Sequence, residues 1–175
     1  GTQIGAGNYV VHAGSGPLAT LSGLSRDVVY HFRAFEFNGS GVTANYLTNA
    51  ATGNPTNSTT MAANPATAAS DLAISSIGPT SFTITWTKGT AGTNTLILVR
   101  AGSLSTEPSD LTTYTANTVM GSGSEIGTGG YVVYTNTGTS VTVTGLAPGT
   151  RYYVKAYAFN GAANAQNYRT SDEPS

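Results

Sequence analysis

Cysteine is absent from this 175-residue chain. That excludes a disulfide framework, a thiolate zinc site and a thiol nucleophile. An extracellular life stays open to it if the core is large enough to stand without covalent staples. Charge is nearly as scarce: seven Lys and Arg against eight Asp and Glu leave a net charge of −1. A nucleic-acid binder needs a basic stripe to neutralise phosphates, and an anionic-lipid binder needs a polybasic patch; the sequence holds neither. No apolar run approaches the roughly 18 residues of a membrane helix, and no stretch keeps a helical period. Gly-x-Ser-x-Gly elbows, phosphate loops and His-Glu-x-x-His are missing too. The chain opens at Gly1 without a leader pattern, which reads as a mature product or a piece of a longer one.

What is present points to short strands and many turns. Gly numbers 22, and Tyr outnumbers Phe ten to five. Above all there is an internal repeat. Ile4-Gly5-Ala6-Gly7-Asn8-Tyr9-Val10-Val11 returns as Ile126-Gly127-Thr128-Gly129-Gly130-Tyr131-Val132-Val133, at an offset of 122. The offset holds without a gap through Leu24 and Leu146, Tyr30 and Tyr152, Phe37-Asn38-Gly39 and Phe159-Asn160-Gly161, and Asn45-Tyr46 and Asn167-Tyr168. Nineteen of the first 48 positions are identical, which means two copies of one unit.

The chain is organised around Leu146-Ala147-Pro148-Gly149-Thr150-Arg151-Tyr152-Tyr153-Val154-Lys155-Ala156. Pro148 presets φ and Gly149 accepts a positive φ, which suits a tight turn. Beyond it, Tyr152, Val154, Ala156 and Ala158 fall on one face by period two. This stretch resembles the E–F corner and F strand of a fibronectin type III domain. The resemblance gives Tyr152 the role of the corner tyrosine that bonds back to the backbone. Trp86, in Ser81-Phe82-Thr83-Ile84-Thr85-Trp86-Thr87, matches the buried Trp of that family's strand B. The match spans roughly residues 68–170 and implies an all-β, antiparallel, Ig-like sandwich. A narrower resemblance, carried by Thr112–Asn117, Gly121–Gly127, Tyr131–Tyr134 and Phe159–Gly161, is to a variant in secreted, multi-module proteins of Bacteroidota.

Residues 71–171 form the complete module, with strands near Leu72–Ile77, Ser81–Thr87, Thr95–Arg100, Tyr131–Tyr134, Ser140–Leu146, Tyr152–Asn160 and Asn167–Thr170. A long insertion fills 101–130. The expected core is Leu72, Ile74, Phe82, Ile84, Trp86, Leu96, Leu98, Val141, Val143, Leu146, Tyr152 and Val154. Residues 1–48 are the C-terminal half of another module, without strands A to C. Tyr30 is kept there, while Pro148 and Gly149 correspond to Arg26 and Asp27. Its apolar Leu21, Leu24, Tyr30, Phe32 and Ala34 face nothing, and a half-sandwich of about 50 residues should not fold alone. Two readings stand: a window cut from a longer array, or completion by strands from another chain. Residues 49–70, uncharged and rich in Thr, Ser, Pro and Ala up to Ser70, are expected to be an extended spacer.

No residue is assigned to catalysis, cofactor or metal. His12 and His31 lie in the incomplete copy and become Tyr134 and Tyr153 in the complete one. Glu107 and Asp110 are close in sequence, but calcium takes six to eight oxygens, so a solvated turn is the expectation. Tyr153, Lys155, Tyr157 and Phe159 line the other face of strand F. Tyr153, Tyr157 and Phe159 stack on a glycan or partner if exposed; the favoured reading is that the long insertion folds over this face and buries them, with Tyr114, Val119, Met120 and Ile126 to contribute. Asn38 and Asn57 head glycosylation sequons.

These observations predict a non-catalytic structural repeat of a secreted or cell-surface protein: a stalk, adhesin or fibre unit. Its partners are neighbouring repeats or copies of itself. The alternatives are a carbohydrate-binding module and a spacer beside a secreted enzyme.

Overall fold

A computed structural model describes residues 1–92, 94–103 and 106–171. Among the described residues eleven strands follow one another: β1 (Val29–Phe32), β2 (Phe37–Asn38), β3 (Asn45–Tyr46), β4 (Thr56–Thr59), β5 (Ser70–Ser75), β6 (Phe82–Thr87), β7 (Asn94–Ala101), β8 (Gly130–Asn136), β9 (Ser140–Val143), β10 (Tyr152–Asn160) and β11 (Asn167–Tyr168). The last seven build an antiparallel sandwich. One sheet runs β5-β6-β9 and the other β11-β10-β7-β8.

Period-two patterning explains the first sheet. On β6, Phe82, Ile84 and Trp86 are buried while Thr85 and Thr87 are exposed. They meet Val141 and Val143 of β9, Ile97 and Val99 of β7, and Val154 and Ala156 of β10 in one core. Leu146 closes its end, and the Trp86 and Tyr134 rings meet edge to face at 5.0 Å.

The expected core needs one correction and one refinement. Ile74 lies opposite Ile84, but β5 is a sheet edge and Ile74 stays 44 % exposed. Leu96 and Leu98 are fully buried, but on the opposite face of β7, in a second apolar cluster. Both faces of β7 are therefore covered, which is why Leu96-Ile97-Leu98-Val99 runs without alternation.

The expected spacer is also corrected. Thr56–Thr59 is a strand, antiparallel to β1 with Tyr30 opposite Ser58. The next residues pack on the sandwich. Ala62, Pro65 and Ala69 are buried, and the Ala62 N–H donates to Ala165 O at 2.9 Å. The side-chain amides of Asn160 and Asn167 donate to Ala63 O and Ala62 O. Backbone pairing and buried alanines leave no apolar alternation in the sequence, so composition alone reads as a linker.

Residues 1–60 behave differently. Among the described residues, β1 pairs only with β4, and β2 only with β3. None of residues 1–50 is buried.

Candidate functional site

β10 carries the residues singled out for binding, and its two faces divide them. Tyr152, Val154 and Ala156 face the sandwich core. Tyr157 and Phe159 face the other way, with Leu96, Leu98, Val132 and Tyr168. The insertion covers this second face: Ile126, Tyr114 and Ala116 pack onto it. Tyr157 is 0 % and Phe159 7 % exposed, against 43 % for Tyr153. A platform of Tyr153, Tyr157 and Phe159 is therefore corrected to one exposed ring beside two buried ones. Apolar surface in the insertion and on the sheet is removed from water together.

Polar contacts fix the insertion in place. The Tyr168 N–H donates to Asp110 Oδ1 at 2.7 Å, and the Tyr168 hydroxyl donates to Thr112 O at 3.0 Å. The Gln166 side chain donates to Thr113 Oγ1 at 2.7 Å. Further along, the Asn117 N–H donates to Val132 O and the Val132 N–H to Ser124 O, so the insertion zips onto β8. Met120 leaves this face and packs against the sandwich core instead. Burial, reinforced by Tyr114 and the Asp110 carboxylate, pushes the Tyr168 phenol well above the ordinary tyrosine value. The fold holds it neutral.

Glu107 and Asp110 are engaged separately. Glu107 pairs with Lys155 at 3.7 Å, while Asp110 holds the Tyr168 amide. Among the described residues no group of three or more His, Cys, Asp or Glu is placed to hold a metal ion. His12 and His31 are exposed. Asn38 in β2 and Asn57 in β4 are exposed as well, Asn57 on a paired strand.

The corner is built as its sequence suggests. The Ala147 N–H donates to Tyr152 Oη at 2.9 Å, with Gly149 at φ 67°. The incomplete copy repeats the bond: the Ser25 N–H donates to Tyr30 Oη at 2.9 Å. A third bond of this span, Ser109 N–H to Tyr114 Oη at 3.0 Å, lies within the insertion; no Pro-Gly marks it, so sequence reasoning missed it.

With sandwich, buried Trp86 and corner in place, comparison with known families agrees. The fibronectin type III domain profile matches residues 67–171. The chain belongs to the fibronectin type III family. Comparison with curated proteins finds no match. Fibronectin type III domains are structural or binding modules, common in extracellular proteins and typically non-catalytic. Among the described residues no helix is long and apolar enough to cross a membrane.

Proposed function

We propose that this fibronectin type III chain is a non-catalytic structural repeat of a secreted or cell-surface protein, a unit of a stalk, adhesin or fibre. The observation that carries the reading is the repetition itself. Two copies of one segment keep the same turns: φ is 71° at Gly23 and 72° at Gly145, 77° at Gly7 and 78° at Gly129, 84° at Gly39 and 85° at Gly161. The strand pair Phe37–Asn38 with Asn45–Tyr46 has the register of Phe159–Asn160 with Asn167–Tyr168. Repeated modules joined by a packed connection are the construction of an array. In this reading residues 1–48 are the later half of a preceding module, and the Bacteroidota-type variant supplies the secreted, multi-module setting.

Electron microscopy of the native material, with mass determination, tests the role. A regular axial repeat is the expected result; a compact particle without one would argue against an array. Burial of Tyr157 and Phe159 weighs against a carbohydrate platform. Screening the chain against a glycan panel checks that directly, with no binding lost on Tyr153→Ala.

A further inference from the structure

The passage from the first copy to the complete module leaves no slack. Thr60 belongs to the first copy: its N–H donates to Val28 O at 3.1 Å, and its Oγ1 accepts from Val28 N and donates to Ser25 O. Ala62 belongs to the module: it is buried, and its N–H donates to Ala165 O at 2.9 Å. Only Met61 stands between them, and its carbonyl accepts from the Asp27 N–H at 3.4 Å. The Met61–Ala62 peptide is therefore held by the first copy through its C=O and by the module through its N–H. That group is planar and rigid. Turning ψ of Met61 or φ of Ala62 beside it breaks one of these bonds.

The module receives the chain in a built seat. Asn160 Nδ2 donates to Ala63 O at 2.9 Å and to Ala91 O at 2.7 Å. Asn167 Nδ2 donates to Ala62 O at 3.0 Å, and Arg169 Nη1 donates to Pro65 O at 3.1 Å. Glycines let the chain come close: a Cβ at Gly161 would lie 2.9 Å from the Ala62 Cβ, and one at Gly92 would lie 3.3 Å from the Pro65 Cβ. Both grips lie in the repeated segment. Asn160, Gly161 and Asn167 recur as Asn38, Gly39 and Asn45. Asp27, at φ 55°, takes the turn that Gly149 takes at φ 67°.

We propose that the Met61–Ala62 peptide is a fixed joint, which sets one repeat against the next at a single rotation and makes the array a stiff rod. The corner of one repeat holds the chain as it leaves, and the Asn160–Asn167 hairpin of the next holds it as it enters. Motion between modules is the default where little joins them. Here bending must first break hydrogen bonds at Ala62 and Asn167, both of them buried, and a buried polar group left without its partner is costly. The joint rests on the array reading above. Its test reads the orientation of two units, so its failure leaves an axial repeat standing.

The full chain supplies the test, because the absence of cysteine lets spin labels be placed by substitution. Asn57→Cys in β4 and Thr85→Cys in β6 put labels on exposed positions of the two units. One narrow distance distribution is expected. Inserting Gly-Gly between Met61 and Ala62 should lose the single peak, while the fluorescence of Trp86, the only tryptophan, stays that of the folded sandwich. A parent distribution as broad as that of the insertion variant would overturn the joint. Amide exchange reads the peptide itself. The Ala62 N–H should be protected, and Asn160→Asp, which removes both donated bonds, should speed its exchange with Trp86 fluorescence unchanged. An Ala62 amide that exchanges as fast as an unstructured one would overturn the seat. Protection that survives Asn160→Asp would overturn Asn160 as its clamp.

Discussion

Residues 1–48 and 123–170 are the same segment in two surroundings. Turns, corner and hairpin register agree between them, down to the 2.9 Å bond on each corner tyrosine. Burial does not agree. Phe35 is 43 % exposed where its counterpart Tyr157 is 0 %, and Tyr46 is 55 % exposed where Tyr168 is 3 %. Local sequence therefore sets the backbone path, while strands β5 to β7 and the insertion supply the stability. Packing, and not local propensity, supplies most of the free energy of a sheet.

The largest expected effect falls where the copies differ most. Trp86 lies in the sandwich core outside the repeated segment, and Trp86→Ala should cost about 3–5 kcal/mol and unfold the sandwich in a denaturant titration. A variant that melts like the parent would refute the core assignment. Tyr157→Ala and Phe35→Ala make a matched pair. The first should destabilise by a similar amount, about 3–5 kcal/mol, and the second should leave the main transition in place. Equal effects would mean that residues 1–60 contribute a core of their own. Limited proteolysis sharpens the same contrast. Few buried contacts hold residues 1–60, so they open at low cost. Cuts should accumulate there first and leave the fragment anchored by Ala62 and Pro65 intact.

The corner tyrosines test a smaller term. Tyr152→Phe removes one hydrogen bond and should cost about 1 kcal/mol in the main melting transition. Tyr30→Phe should not shift that transition, although the bond it removes has the same length.

What the sequence disclosed follows the same division. The repeat, the strand at Tyr152–Asn160 and the corner were legible because they rest on period-two alternation, Pro148-Gly149 and an ungapped offset. Burial of Tyr157 was the favoured expectation on the length and apolar content of the insertion, not on the strand pattern, because period two separates two faces without saying what covers either. Thr56–Thr59 was illegible as a strand: its pairing is made by main-chain groups, and Thr-Asn-Ser-Thr carries no apolar alternation. The expectation that Ile74 is core failed because sequence shows which face a residue takes, not whether its strand is an edge.

Tyr168 is matched to Tyr152 in expected size at neutral pH and adds a pH dependence above it. Burial, Tyr114 and Asp110 raise its pKa above the ordinary value of about 10. A group whose pKa is higher in the folded state is held protonated by the fold. Its contribution is complete below the unfolded value and is lost as pH rises from there toward the folded one. Stability should therefore fall from about pH 10 upward, as the unfolded chain sheds a proton that the fold retains. Tyr168→Phe removes this proton, and with it the donor to Thr112 O. The variant should lose about 1 kcal/mol at pH 7 and show a shallower decline in melting temperature on the alkaline side. An unchanged alkaline slope would mean that the insertion opens before Tyr168 ionises. The cover over Tyr157 and Phe159 would then be a separate cooperative unit, less stable than the sandwich beneath it.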